Sequence, residues 1–283
     1  MKNTYFDDRA VGSNLFGFID YARRTVVYKD DASFWKASEK FEGALPELAV
    51  ECTALINREL SAILNNFEYH SPLWDAGQLI FALNANFALS LTLMVAEPKH
   101  IFNAVANSCY GVVGRNSINI RRYRLPSSID RRVFDRSVTL VQYDDFPLIP
   151  GDVLRLNSGT DAVDWSLSDP VLMLRFTSAS TEALQWGFDR QLKTAWSATA
   201  VDPESTQLVC LASYLGKEES VSSLEPLRGL STHPQHHVRW AAIRAIASIS
   251  GEAGIEQLRS ARIDEHPHIR NAAISALAAI GAQ

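Results

Sequence analysis

Hydrophobic positions along the chain follow three successive rhythms. Near the start, Leu15-Phe16-Gly17-Phe18-Ile19 and Thr25-Val26-Val27-Tyr28 are aromatic and β-branched, which predicts one or two short edge strands within an irregular lead-in to about residue 31. From Leu45 to Phe67 the apolar residues Leu48, Cys52, Leu55, Ile56, Leu60, Ile63, Leu64 and Phe67 recur three and four apart. That spacing predicts one long amphipathic helix with Pro46 in its first turn. Its polar face, with Glu47, Glu51, Asn57, Arg58 and Asn65, suits a helix laid against a sheet.

After His70 the period falls to two. Candidate strands are 88–95, 117–125, 137–143, 152–156, 171–176, 184–188 and 192–196, separated by Pro, Gly, Asn and Asp clusters. No helical pattern of useful length intervenes, so an antiparallel sandwich, jelly roll or barrel is favoured over a parallel α/β sheet.

The last eighty residues repeat themselves. The run from Val238 to Ile249 superposes on that from Ile269 to Ile280 at an offset of 31, and both follow a His-Pro pair, His233-Pro234 and His266-Pro267. The same offset relates Leu224, Leu227 and Arg228 to Ile255, Leu258 and Arg259, and a degenerate earlier unit begins near Ser205. Each unit reads as two antiparallel helices, with small Ala residues allowing close approach. The stretch from about 204 to 281 resembles HEAT repeats of the lyase-associated type, through its proline followed by Val-Arg-x-Ala-Ala. That resemblance implies an α-solenoid that contacts another protein, with Arg239 and Arg270 in a structural role.

Charge and cysteine content narrow the function. Twenty-seven Lys and Arg against 32 Asp and Glu give a net charge of −5, which argues against nucleic acid as the partner. Cys52, Cys109 and Cys210 form neither a disulfide framework nor a zinc pattern, and neither a signal peptide nor a membrane span is expected, so the reading is cytoplasmic.

In the β-rich part, Phe146-Pro147-Leu148-Ile149-Pro150-Gly151-Asp152-Val153-Leu154 places a Pro-Gly-Asp turn before an apolar strand. This resembles the second motif of cupins, and Leu184-Gln185-Trp186-Gly187-Phe188-Asp189 is similar to a closing strand of that superfamily. The resemblance implies a barrel over about 70–200 and, in catalytic members, iron, manganese or another metal held by His-x-His, a Glu and a later His. This chain departs from that set: the β region has only His70 and His100, and Leu154 and Arg155 fall where a ligand would follow Gly151. An arginine is a permanent cation and repels a metal. No cofactor is therefore expected. The alternative is iron or another divalent metal on His70, His100 and Glu97.

Arginines crowd this acidic chain locally. Alternation along 117–125 sets Ile118, Ile120, Arg122 and Arg124 on one face. With Arg155 and Arg175, which interrupt apolar strands, they are candidates for a carboxylate or phosphate clamp, with Tyr110 and Trp165 lining the pocket. The competing reading pairs these arginines with Asp130, Asp135, Asp144 and Asp145 at the surface. Cys109 has no nearby histidine to act as its base, so it reads as a buried thiol. In the repeats, His233, His236, His237, His266 and His268 gather near helix starts. The offset equates His237 with His268, one helix layer or about 10 Å apart, too far to share an ion; these histidines read as solvated loop residues.

The expected fold is α+β: a segment 1–69 with the long helix, a cupin-like antiparallel barrel or jelly roll over 70–200, and a short α-solenoid over 201–283. The expected function is a non-catalytic or atypical cupin-like binding protein for a small anion, with a HEAT module for a protein partner in a biosynthetic or regulatory complex. The alternative is an atypical metal-dependent oxygenase or isomerase acting on a small anionic substrate.

Overall fold

The structure, a computed structural model, describes residues 12–71, 73–75 and 77–281. It divides into two compact units: the chain to Ile129 with Asp135–Ala198, and Asp130–Phe134 with the chain from Thr199.

The first unit opens with two helices. Of the two stretches expected as edge strands, 15–19 lies in helix α1, Ser13–Thr25, and 26–28 is the non-helical connection after it. Leu15, Phe18, Ile19 and Ala22 are buried along α1 at helical spacing, and that stripe outweighs the β propensity of its aromatic residues. Its N-cap, Gly12, has no side chain to offer. Glu51, from the next helix, accepts the N–H groups of Asn14 at 3.0 Å and Leu15 at 2.7 Å and so satisfies first-turn donors from a distance. Helix α2 runs Asp31–Asn65, starting well before the expected Leu45. Asp30 caps it by accepting from Ser33 N–H at 3.2 Å. Pro46 therefore lies inside the helix rather than in its first turn, where its ring removes the N–H that would meet the Glu42 carbonyl.

Twelve strands follow: β1 Trp74–Asp75, β2 Gln78–Leu83, β3 Phe87–Met94, β4 Ile101–Asn103, β5 Ser108–Val112, β6 Ile118–Arg124, β7 Val141–Leu148, β8 Val153–Leu156, β9 Asp161–Ser166, β10 Val171–Ser178, β11 Leu184–Phe188 and β12 Ala195–Ala200. They form two six-stranded antiparallel sheets, ordered β1-β2-β3-β10-β5-β8 and β12-β11-β4-β9-β6-β7. Strands β1, β2, β4, β5 and β9 are not expected from the pattern. The expected strand at 137–143 begins later, as β7. The strand expected at 192–196 begins at Ala195, because Asp189 accepts from Gln191 and Leu192 N–H in a turn that ends at Lys193 with φ 61°.

The Pro-Gly-Asp turn takes the chain from one sheet to the other. Gly151 adopts φ 92°, which favours glycine, and the Asp152 carboxylate accepts Ile149 N–H at 3.1 Å. Pro147 sits in β7, an edge strand, where a missing N–H leaves no ladder bond broken.

Alternation along the strands builds two cores. On one side of the first sheet, Phe81, Phe87, Leu89, Leu91, Leu174 and Phe176 pack with Leu15, Phe18, Phe34, Phe41 and Leu45 of the helices. On the other side, Val112, Leu154, Leu156, Val171 and Met173 meet Ile118, Ile120, Leu148, Val163 and Trp165. Strand β10 thus sends Leu174 and Phe176 to the helices and Met173 and Arg175 between the sheets.

The second unit contains α3 Pro203–Glu218, a 3₁₀ turn Val221–Ser223, α4 Leu224–Leu230, α5 His236–Ile249, α6 Gly251–Ala261 and α7 Pro267–Ala279. These are two helix pairs and a half, as the repeat predicts. Glycine lets α5 and α6 meet: a Cβ on Gly254 would lie 2.6 Å from Ala247 Cα. Gly254→Ala should therefore cost about 2 kcal/mol by forcing these helices apart. An unchanged melting transition for the helical unit would show that the contact yields freely. Among the described residues, no helix is long and apolar enough to cross a membrane.

Candidate functional site

Between the two sheets lies a cavity of about 220 Å³. Tyr110 lines it from β5, Leu156 from β8, Val163 and Trp165 from β9, Arg175 from β10 and Gln185 from β11, and His100 and Asn103 also belong to its lining. Trp165 and Tyr110 meet at 5.2 Å between ring centroids, tilted by 62°. The Arg175 guanidinium carbon sits 5.6 Å from the centre of the Tyr110 ring, within range of a cation–π contact.

Three polar atoms of these side chains are buried without a hydrogen-bond partner: Arg175 Nε, His100 Nδ1 and Asn103 Nδ2. Leaving such a group unpaired costs about 1–3 kcal/mol. Asn103 is held by its other end, since its Oδ1 accepts Trp186 N–H at 2.8 Å, and the His100 ring lies parallel to that of Trp196. Among the described residues, Arg175 has no carboxylate partner. Its charge faces a cavity whose lining contains one imidazole and no carboxylate. Such a lining lacks the three strong donors that the metal of a catalytic cupin needs, so it does not fit that ion.

The alternative ligand set is not brought together. His70 is exposed, with Nδ1 2.7 Å from the Glu68 carbonyl. Glu97 is exposed and already engaged: it accepts from Ser166 Oγ at 2.7 Å, Arg190 Nη1 at 2.7 Å and Leu167 N–H at 3.3 Å. The hydrogen bonds from Ser166 and Arg190 hold its carboxyl below the usual range. Among the described residues, His70, His100 and Glu97 form no group able to share an ion.

Of the four candidate arginines, only Arg175 lines the cavity. Alternation turns Arg155 to the opposite face of β8, where it forms a two-point pair with Glu42 of α2, Nε to Oε1 at 2.5 Å and Nη2 to Oε2 at 2.9 Å. Arg122 lies near Asp161 (3.5 Å) and Asp144 (3.8 Å) and donates to the Arg155 carbonyl at 3.0 Å. Arg124 is 62% exposed and stacks over Tyr143. These three are structural pairs, not an anion clamp. Burial pushes the Cys109 thiol up to about 12, so it is no nucleophile near neutral pH.

In the helical unit, Arg239 donates to the carbonyls of His233 (2.8 Å) and Pro234 (2.9 Å), and Arg270 to those of Asp264 (2.7 Å) and Glu265 (2.9 Å). Each arginine ties down the turn that precedes its own helix, at the same spacing in both repeats. Residues 208–278 match the family model for HEAT repeats. The HEAT unit thus begins within α3 and runs into α7.

No curated protein matches the chain by sequence. Among solved structures, it is similar to hydroquinone 1,2-dioxygenase of Sphingomonas sp. TTNP3 with 4-hydroxybenzoate bound, at 14% identity, over 41% of this chain and 73% of that one, with a TM-score of 0.29. It is also similar to a cupin superfamily protein of Desulfitobacterium hafniense, at 13% identity over 40% and 84% of the two chains, with a TM-score of 0.26. A cupin-2 domain protein of Shewanella frigidimarina aligns at 10% identity over 40% and 89%, with a TM-score of 0.24. By its own topology, the β unit is a sandwich of two six-stranded antiparallel sheets.

Sequence reasoning missed Asn103 as a cavity residue, and it missed Asp161 and Asp164, two buried carboxylates on β9. Asp161 accepts Asn157 N–H at 2.8 Å, and Asp164 pairs with Arg190 at 2.7 Å. Strand β9 itself was not foreseen, so nothing marked these carboxylates as the arginines' partners.

Proposed function

We propose that this chain is a binding protein, in which the β unit holds a small organic carboxylate or phosphate between its sheets while the HEAT unit docks another protein. The observation that carries this reading is Arg175: a cation without a carboxylate partner among the described residues, backed by Tyr110 and facing a cavity with two further unpaired polar atoms. A guanidinium fork matches such anions at two points, and desolvation inside the sandwich strengthens the pairing. The volume of about 220 Å³ is below the roughly 300–1,000 Å³ of drug-sized ligand sites, which selects a small ligand. The HEAT unit supports the second half, because stacked repeats of this kind commonly present contact surfaces to proteins.

Calorimetric titration with phosphate and a panel of small mono- and dicarboxylates tests the first half. At least one should bind and raise the melting temperature, and Arg175→Met should abolish both effects, whereas Arg124→Met should leave them unchanged. The reading is wrong if no anion in the panel binds, or if binding survives Arg175→Met. An iron or manganese ion retained at stoichiometry and lost on His100→Leu would likewise overturn it.

A further inference from the structure

Three imidazoles meet where successive HEAT repeats stack. His236 opens α5, His266 is the N-cap of α7, and His268 lies in the first turn of α7. The rings of His236 and His266 are parallel within 2°, with centroids 3.6 Å apart, and the His268 ring stands 5.2 Å from that of His266. One nitrogen from each falls within 4.8 Å of the others. The sequence offset equates His237 with His268 and suggests separation. The actual partner is His236, one residue earlier, and at the N-cap position the first repeat has Gln235 where the second has His266.

His266 defines the chemistry. It is 8% exposed, and its Nε2 lies 3.1 Å from the Arg132 carbonyl. A carbonyl oxygen can only accept, so Nε2 carries the proton and Nδ1 is left as a bare lone pair. That Nδ1 is buried and has no hydrogen-bond partner. A histidine with one nitrogen tied to a backbone carbonyl and the other free is the arrangement found in metal-binding imidazoles. The nearby cation, Arg239, is compensated by Asp264, which accepts from its Nε at 2.9 Å and its Nη2 at 2.7 Å.

We propose that His236, His266 and His268 bind one divalent transition-metal ion of the zinc type. Three nitrogen donors select zinc, cobalt, nickel or copper over magnesium or calcium. Tetrahedral zinc places its nitrogens about 3.4 Å apart, so binding requires the His236 ring to tilt from its parallel stack on His266 and the exposed His268 ring to turn inward. His236 and His268 also line a cleft of about 660 Å³ with Trp240 and Arg244, which leaves room beside the group for water or an incoming donor.

Cobalt titration of untagged, chelator-stripped full-length protein, followed by zinc competition, tests the site. One equivalent of cobalt should produce visible absorption bands that zinc removes, and zinc should raise the melting temperature. His268→Gln and His236→Gln should each weaken cobalt binding by at least about tenfold, the lower end of what losing even a supporting partner costs. His70→Gln, an exposed imidazole of the β unit, should bind as wild type does. Absence of the cobalt bands, or unchanged affinity in both His268→Gln and His236→Gln, overturns the proposal.

Discussion

Phe176→Ala is expected to cost the β unit about 4 kcal/mol. The ring is fully buried and touches four others: Phe34 at 4.8 Å and Phe41 at 5.7 Å in stacked geometry, and Phe18 at 5.2 Å and Phe87 at 5.7 Å edge-on. Those partners come from α1, α2 and β3, so a single truncation loosens both helices against the first sheet. The flanking rings sit on rigid elements and cannot collapse into the void, which places the cost toward the upper part of the range for such changes. Hydrogen exchange on peptides from β3 and β10 reads the effect directly. Phe67→Ala, at a position 87% exposed, should alter exchange by less than about 0.5 kcal/mol. Similar small effects in both variants would mean that the aromatic cluster contributes little.

Arg239→Ala is expected to destabilise the HEAT unit by about 3 kcal/mol. Arg239 is 7% exposed at its side chain and Asp264 12%, so removing the cation strands a largely buried carboxylate and also releases the carbonyls of His233 and Pro234. The loss should depend on pH. Burial alone would raise the Asp264 carboxyl, but hydrogen bonds from Arg239 and from His266 N–H outweigh it and hold the group below its usual value. A lowered folded-state value means that the pair stabilises the fold above the unfolded carboxyl's pKa of about 4, and that this contribution fades as pH falls through the folded value. Urea titrations should therefore show the wild type and Arg239→Ala converging in acid and diverging near neutrality. A constant gap across that range would assign the loss to packing instead.

The repeat was legible because its signal is redundant: Arg239 and Arg270 perform the same task at the offset that the sequence displays. Arg175 was legible because a cation interrupting an apolar strand must face something. Arg155 looks the same in sequence, yet its partner, Glu42, lies 113 residues away on a helix that starts earlier than the pattern predicts, so only the tertiary structure separates a strut from a cavity-lining cation. Helix α1 was misread because local β propensity disagreed with the spacing of Leu15, Phe18, Ile19 and Ala22, and because its cap, Glu51, is remote in the chain. The histidine group was misjudged because equivalence of repeat positions fixes which residues lie a layer apart, not which neighbours turn toward one another across the stack.

The passage of Asp130–Phe134 into the helical unit makes that compact unit, though not its repeats, discontinuous along the chain. A recombinant piece cut near residue 200 would omit the Arg132 carbonyl that accepts the hydrogen bond of His266 Nε2. Gene fusions or truncations designed around the apparent boundary would therefore keep every helix of the unit while removing that contact to His266.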